Sequence, residues 1–378
     1  VACSGRRLSR FVHREAFVLV LLIGVTAAGF FATRAVARSN ESMRREQAAI
    51  WFGEAQQSMR TGRTEAAVTE FRHAVSKDPS NKRYHLALAE ALAAAGHDDE
   101  ARRILLSIHD AERDDPETSL QLARREARGP DSDSARRFYQ TAVADLWRPD
   151  EAEERRRLRV ELIEFLLARG EKARALSELL LLGANIPPSD PGVQTHVGRM
   201  FLAAGDPRHA LEYLLPVIRQ HPDDGSALTA AGEAAFQLGD YSRAVRYLTA
   251  APTLDDRLTD MREVARLVVN TDPLATRIGI GERRKRLDTG LAQASHRLES
   301  CLNDSSGVDD KLHDLRDELE SLQRTLRRPR RDSRDLVDDG AELVYRVERA
   351  VQQACPTPVT PLDRALLLIG EKRGFEEQ

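Results

Sequence analysis

One sparse skeleton is written into this chain more than once, at a fixed interval. Residues 196–217, "HVGRMFLAAGDPRHALEYLLPV", are answered 34 positions later within residues 230–252, "AAGEAAFQLGDYSRAVRYLTAAP". Gly198 corresponds to Gly232, Gly205 to Gly239, Asp206 to Asp240, Ala210 to Ala244 and Tyr213 to Tyr247. Stepping back from Gly239 reaches Gly205, Gly170, a weaker equivalent near Pro130, Gly96 and Gly62, at spacings of 34, 35, 40, 34 and 34. A period of this size means one supersecondary unit that cannot bury its apolar face alone and therefore stacks on its copies.

The unit reads as a helical hairpin. Glycine ends the first helix where the backbone turns left-handed. Five residues on stands a small residue (Ala67, Ala101, Ala135, Ala175, Ala210, Ala244), and four further a bulky one (Phe71, Leu105, Tyr139, Leu179, Leu214, Leu248). The small residue lets two helices approach, and the bulky one fills the space to the next hairpin. Packing fixes these positions, while charges facing water drift. Composition agrees: 41% hydrophobic but only 5% aromatic residues suit close-packed Ala, Leu and Val helices rather than a sheet. Charged residues reach 31% with a net charge of -3, so acids and bases are interspersed and nothing marks a nucleic-acid binder.

This skeleton resembles the tetratricopeptide repeat (TPR). The first unit, "WFGEAQQSMRTGRTEAAVTEFRHAVSKDP", carries Trp51, Gly62, Ala67, Phe71, Ala74 and Pro79 at the family's positions. Units at 191–224 and 225–258 are equally readable, those at 82–115 and 156–189 fair, and 116–149 degenerate. The expected fold is all-α, with a right-handed α-solenoid of about six hairpins over 48–272. The resemblance implies a concave groove lined by first helices, which takes proteins or peptides as partners. Its groove positions fall on Phe52, Gln56, Met59, Arg83, Glu90, Arg124, Glu164, Arg199, Glu233 and Phe236. The family's Lys and Asn clamp for a C-terminal carboxylate is not matched here, because the inner positions read Gln, Glu, Arg, Glu, Arg, Glu. For any one of these charges, simple solvation is the alternative.

Residues 16–33 contain no charge and as a helix span about 27 Å, close to the hydrocarbon thickness. They predict a transmembrane anchor at 16–37, behind a short basic tail at 1–15 and before a linker at 38–47. A cleaved signal peptide is the alternative, with "AVA" at 35–37 as a cleavage site, and a buried helix is a third. Arg6, Arg7, Arg10 and Arg14 precede the run, and Arg34, Arg38, Arg44 and Arg45 follow it, so the positive-inside rule is nearly balanced. A short tail before a large domain favours export of that domain from a bacterial inner membrane. Gly24, Ala28 and Ala32 form a small-residue stripe that leaves a homodimer open.

Beyond Pro273 the skeleton gives way to three amphipathic segments, reading as a C-terminal helical bundle or cap over 273–378. Their seams are Leu287, Leu291, Ala294, Leu298 and Cys301; Leu312, Leu315, Leu319, Leu322 and Leu326; and Val337, Ala341, Val344, Val347, Val351 and Ala354. In an up-down-up arrangement Cys301 and Cys355 fall at the same end, where a disulfide is geometrically allowed outside a reducing cytosol.

No P-loop, GxSxG or HExxH occurs, and "GIG" at 279–281 lacks the rest of a dinucleotide fingerprint. His73, His85, His97 and His109 recur every twelve residues, a step that rotates off one helix face, so no metal site is expected. The sequence thus points to a membrane-tethered interaction scaffold on the extracytoplasmic face, without cofactor or catalysis. A cytoplasm-facing adaptor and a self-assembling structural oligomer remain open beside it.

Overall fold

The computed structural model describes residues 5–112, 115–129, 132–144, 152–183, 190–304, 310–327, 334–355 and 359–375, and every regular element among them is an α-helix. The chain divides into two compact units, Val1–Phe165 and Leu166–Gln378. In the first, the end of α1 (Gly5–Arg60) pairs with α2 (Thr64–Lys77), α3 (Lys82–Ala94) with α4 (Asp98–Ala111), and α5 (Pro116–Arg128) with α6 (Ser132–Ala144). Helix α7 (Ala152–Ala168) crosses the boundary. The second unit continues with α8 (Lys172–Gly183), α9 (Pro191–Ala204), α10 (Pro207–Gln220), α11 (Gly225–Gln237), α12 (Tyr241–Ala250) and α13 (Asp256–Thr271).

The turn positions behave as the sequence requires. Gly62, Gly96, Gly170, Gly205 and Gly239 all have positive φ, between 70° and 88°. All six small residues and all six bulky residues of the repeat are buried. The degenerate equivalent near Pro130 lies outside the described residues. Aspartates start α9 to α13: Asp190, Asp206, Asp224, Asp240 and Asp255 each accept backbone N–H bonds from the first turn. Asp115 does the same for α5.

Two glycines mark where hairpin helices touch. A Cβ on Gly232 would lie 2.6 Å from the Leu248 side chain, and one on Gly198 2.7 Å from Leu214. We predict that Gly232→Ala destabilises the second unit by about 1–3 kcal/mol through overpacking. Gly53, exposed in α1 with nothing within 4 Å of its Cβ position, should behave oppositely. Gly53→Ala gains about 0.5–1 kcal/mol of helix propensity. Thermal melts of the two variants check the pair; shifts of the same sign would refute the packing argument.

Helix α1 runs unbroken through 16–37 and through the expected linker at 38–47 into the first hairpin. Among the described residues no helix is long and apolar enough to cross a membrane. Most side chains of 16–33 lie outside the described residues, so the anchor and its small-residue stripe are not tested there.

The C-terminal segments form α14 (Ile280–Asp304), α15 (Asp310–Leu326) and α16 (Arg334–Ala354). Their seams are buried apart from half-buried Leu322 and exposed Ala354. A fourth helix, α17 (Pro361–Arg373), corrects the three-segment reading. It opens on a capping box between Thr360 and Asp363 with Pro361 at the first position. It packs on α13 and α16, so the bundle closes onto the last repeat helix. Arg364 holds Asp260 of α13 through two hydrogen bonds, and Arg373 bonds Asp272 at 2.8 Å. Cys301 and Cys355 are disulfide-bonded, with Cα atoms 5.8 Å apart.

Candidate partner-binding groove

The expected groove residues sort into three structural groups. The first belongs to the core. Ala48, Phe52 and Ala55 are buried and Met59 half-buried, one stripe of α1 at helical spacing that faces the next helices. Phe52 lies 5.5 Å from the Phe71 ring and 4.9 Å from the Tyr84 ring, so its assignment to the groove is corrected. An aromatic on that stripe gains more from burial than from facing water. Gln56 is half-buried. Phe236 is also half-buried and meets the edge of Tyr241 at 5.3 Å within its own hairpin.

The second group is paired across neighbouring first helices. In the first unit Arg124 of α5 makes a two-pronged bond to Glu161 of α7, both arms at 2.8 Å. Tyr139 of α6 donates to the same carboxylate at 2.8 Å. Burial raises the Glu161 carboxyl, but bonds from Arg124 and Tyr139 outweigh it and hold the group below the usual carboxylate range. The Glu161 bond, against the cost of burial and with the charge of Glu90 adding, holds the Arg124 guanidinium above its ordinary value. In the second unit Glu233 of α11 is bound by both arms of Arg257 of α13 at 2.8 Å. Arg199 of α9 reaches the Ser226 hydroxyl of α11 at 3.4 Å.

The third group faces solvent. Arg83, Glu90 and Glu164 are exposed, as is Arg199 of the second group, with the Arg83 guanidinium 5.0 Å from the Phe52 ring centroid. A cation there shields the aromatic core from water while its polar end remains presented.

Sequence reading found Arg124 and Glu233 but missed their partners Glu161, Tyr139 and Arg257. The repeat period gives no signal for them, because Glu161 stands 37 residues from Arg124 and Arg257 stands 24 from Glu233. Such exposed pairs contribute little stability each.

Among the described residues no group of three or more His, Cys, Asp or Glu could hold a metal ion. The evenly spaced histidines have separate surroundings: His73 against Trp51 at 4.7 Å, His97 on Glu65 at 3.0 Å, and His109 against Phe138 at 5.6 Å.

Two family models, each described as tetratricopeptide repeat, match residues 58–123 and 198–257. No curated protein matches the chain. Among solved structures, PilW, described as a widely conserved type IV pilus biogenesis factor, is 18% identical over 56% of this chain and 96% of its own, with a TM-score of 0.40. The pilF protein of Pseudomonas aeruginosa is 18% identical over 55% of this chain and 90% of its own, at 0.39. A tetratricopeptide repeat protein from Parabacteroides merdae is 11% identical over 73% and 99%, at 0.40. Likenesses this distant say nothing of partner or pathway.

Proposed function

We propose that this chain, a tetratricopeptide-repeat protein, is a membrane-tethered scaffold that holds a protein partner against the first-helix faces of its hairpins. Binding proceeds without turnover, on the extracytoplasmic side of a bacterial inner membrane. The observation that carries the reading is the charge arrangement on those faces. Inner charges are matched helix to helix within each unit, Arg124 with Glu161 in the first and Glu233 with Arg257 in the second, while Arg83 and Glu90 of the first unit and Arg199 of the second stay exposed. The tether is supported by the uncharged run at 16–33 within α1, and the compartment by the Cys301–Cys355 bond.

The test is photo-crosslinking in living cells from probes at Glu90 and Arg199, beside an Arg83→Glu, Glu90→Arg variant. Both substituted side chains are exposed, so the variant keeps its fold. The scaffold reading expects exported envelope proteins to be captured, with a loss of tenfold or more in the variant. Capture of cytosolic proteins alone would transfer the reading to a cytoplasm-facing adaptor. Capture of this chain alone would transfer it to a self-assembling oligomer.

A further inference from the structure

The stretch of α1 from the last turn of the expected anchor to the first hairpin carries a feature that the scaffold reading does not use. Val36, Met43 and Ile50 recur every seven residues and are 70%, 54% and 58% exposed. Thr33, Asn40 and Gln47 stand three residues before each of them and are exposed as well. Together they step 3, 4, 3, 4, 3 along the helix, the period of a two-helix seam with polar residues at a and apolar residues at d. At about 100° per residue this seam is centred about 120° round α1 from Ala48, Phe52 and Ala55, the stripe that packs on the first hairpin. All six of its side chains are exposed, so the repeats leave it uncovered.

We propose that residues 33–50 of α1 are a parallel dimerisation seam whose occupant is the same segment of a second copy of this chain. A seam of this period is covered by a helix with the same period, and two observations select a copy over another such helix. Its amides are self-complementary: in register, Asn40 meets Asn40 and Gln47 meets Gln47, each supplying both donor and acceptor. The flanking charges are tolerant, because Arg44 at e faces Ser39 at g of the copy and no like charges oppose each other. The parallel direction rests on the anchor reading, since two copies inserted alike present this stretch alike. A seam this short is weak in dilute solution, and confinement to one membrane raises the effective concentration enough to populate it.

The experiment is a disulfide-crosslinking scan of the full chain in native membranes, on a Cys3→Ser background, with single cysteines from position 36 to 50. Expected are strong dimer bands for Val36→Cys and Met43→Cys and at least tenfold weaker ones for Glu41→Cys and Arg45→Cys. In detergent, Met43→Asp should lower the dimer fraction tenfold or more, while Asn40→Leu should raise the dimer or higher-order fraction. Crosslinking that is absent, uniform along the helix, strongest off the seam, or directed to a different protein would overturn the proposal. Carbonate extraction of the same membranes reports on the anchor separately: release of the chain would sink the tether, while the scan still reads the seam.

Discussion

Arg297→Ala should destabilise the C-terminal bundle by about 3–5 kcal/mol, the cost of leaving a buried charge without its partner. Arg297 of α14 and Glu348 of α16 are 5% and 0% exposed and hydrogen-bond each other directly. Asp363 of α17, 1% exposed, lies 3.8 Å from the Arg297 Nε and accepts from Gln293 at 2.7 Å. Its other oxygen accepts the Thr360 N–H at 2.8 Å, so the carboxylate that answers Arg297 also starts α17. Removing the guanidinium strands Glu348 and loosens that helix start at once. Protection of α14, α16 and α17 amides in native-state hydrogen exchange should fall together, with α2 to α5 unchanged. Loss confined to α14, or none, would show that the cluster does not join the three helices.

The same cluster sets a pH dependence. Burial pushes the Glu348 carboxyl up to about 7 against the pull of Arg297. With the folded value above the ordinary one of 4.5, the folded state holds this proton longer than the unfolded state does. Its contribution is therefore fully present below about 4.5, declines as pH rises towards 7, and is flat above, a change of at most about 3 kcal/mol. Glu348→Gln removes the titration while keeping the shape. Stability of the bundle should then lose its downward slope between pH 5 and 7; an unchanged slope would assign it elsewhere.

The elements fixed by local packing were legible in the sequence. Turn glycines, the small residues behind them and the bulky ones four further on are dictated by how closely two helices approach, and each recurs at the repeat period. Helix α17 was harder to see because thirteen residues carry too few turns for a clear period. Its Thr-Pro-x-Asp opening, at Thr360–Asp363, was a start signal all the same. In the groove, Phe52 was misassigned because its position relative to the glycine does not say which stripe of a helix is deepest; Ala48 and Ala55 on either side do. Pairs such as Arg124 with Glu161 span hairpins, so spacing within one unit could not reveal them.

Eliminating the Cys301–Cys355 bond should cost about 4 kcal/mol, the loop-closure value for a separation of 54 residues. The bond links the ends of α14 and α16 and lies just before α17. Both cysteines are buried, 0% and 5% exposed, so reduction of the wild type is compared with the Cys301→Ala, Cys355→Ala variant to separate the crosslink from the packing. Arg297 sits one helical turn before Cys301, and the bond narrows the freedom of the end that the buried cluster must order. The two losses should therefore couple. Reduction combined with Arg297→Ala should depart from the sum of the separate effects by at least about 0.5 kcal/mol, whereas distant independent sites add. Strict additivity would mean that the disulfide and the ion cluster stabilise the bundle separately. Thiol mapping of protein from native membranes gives this result its biological side. Both thiols blocked supports the exported orientation, and both free would place the repeats in a reducing compartment, where the buried ion cluster joins α17 to α14 and α16 without the crosslink.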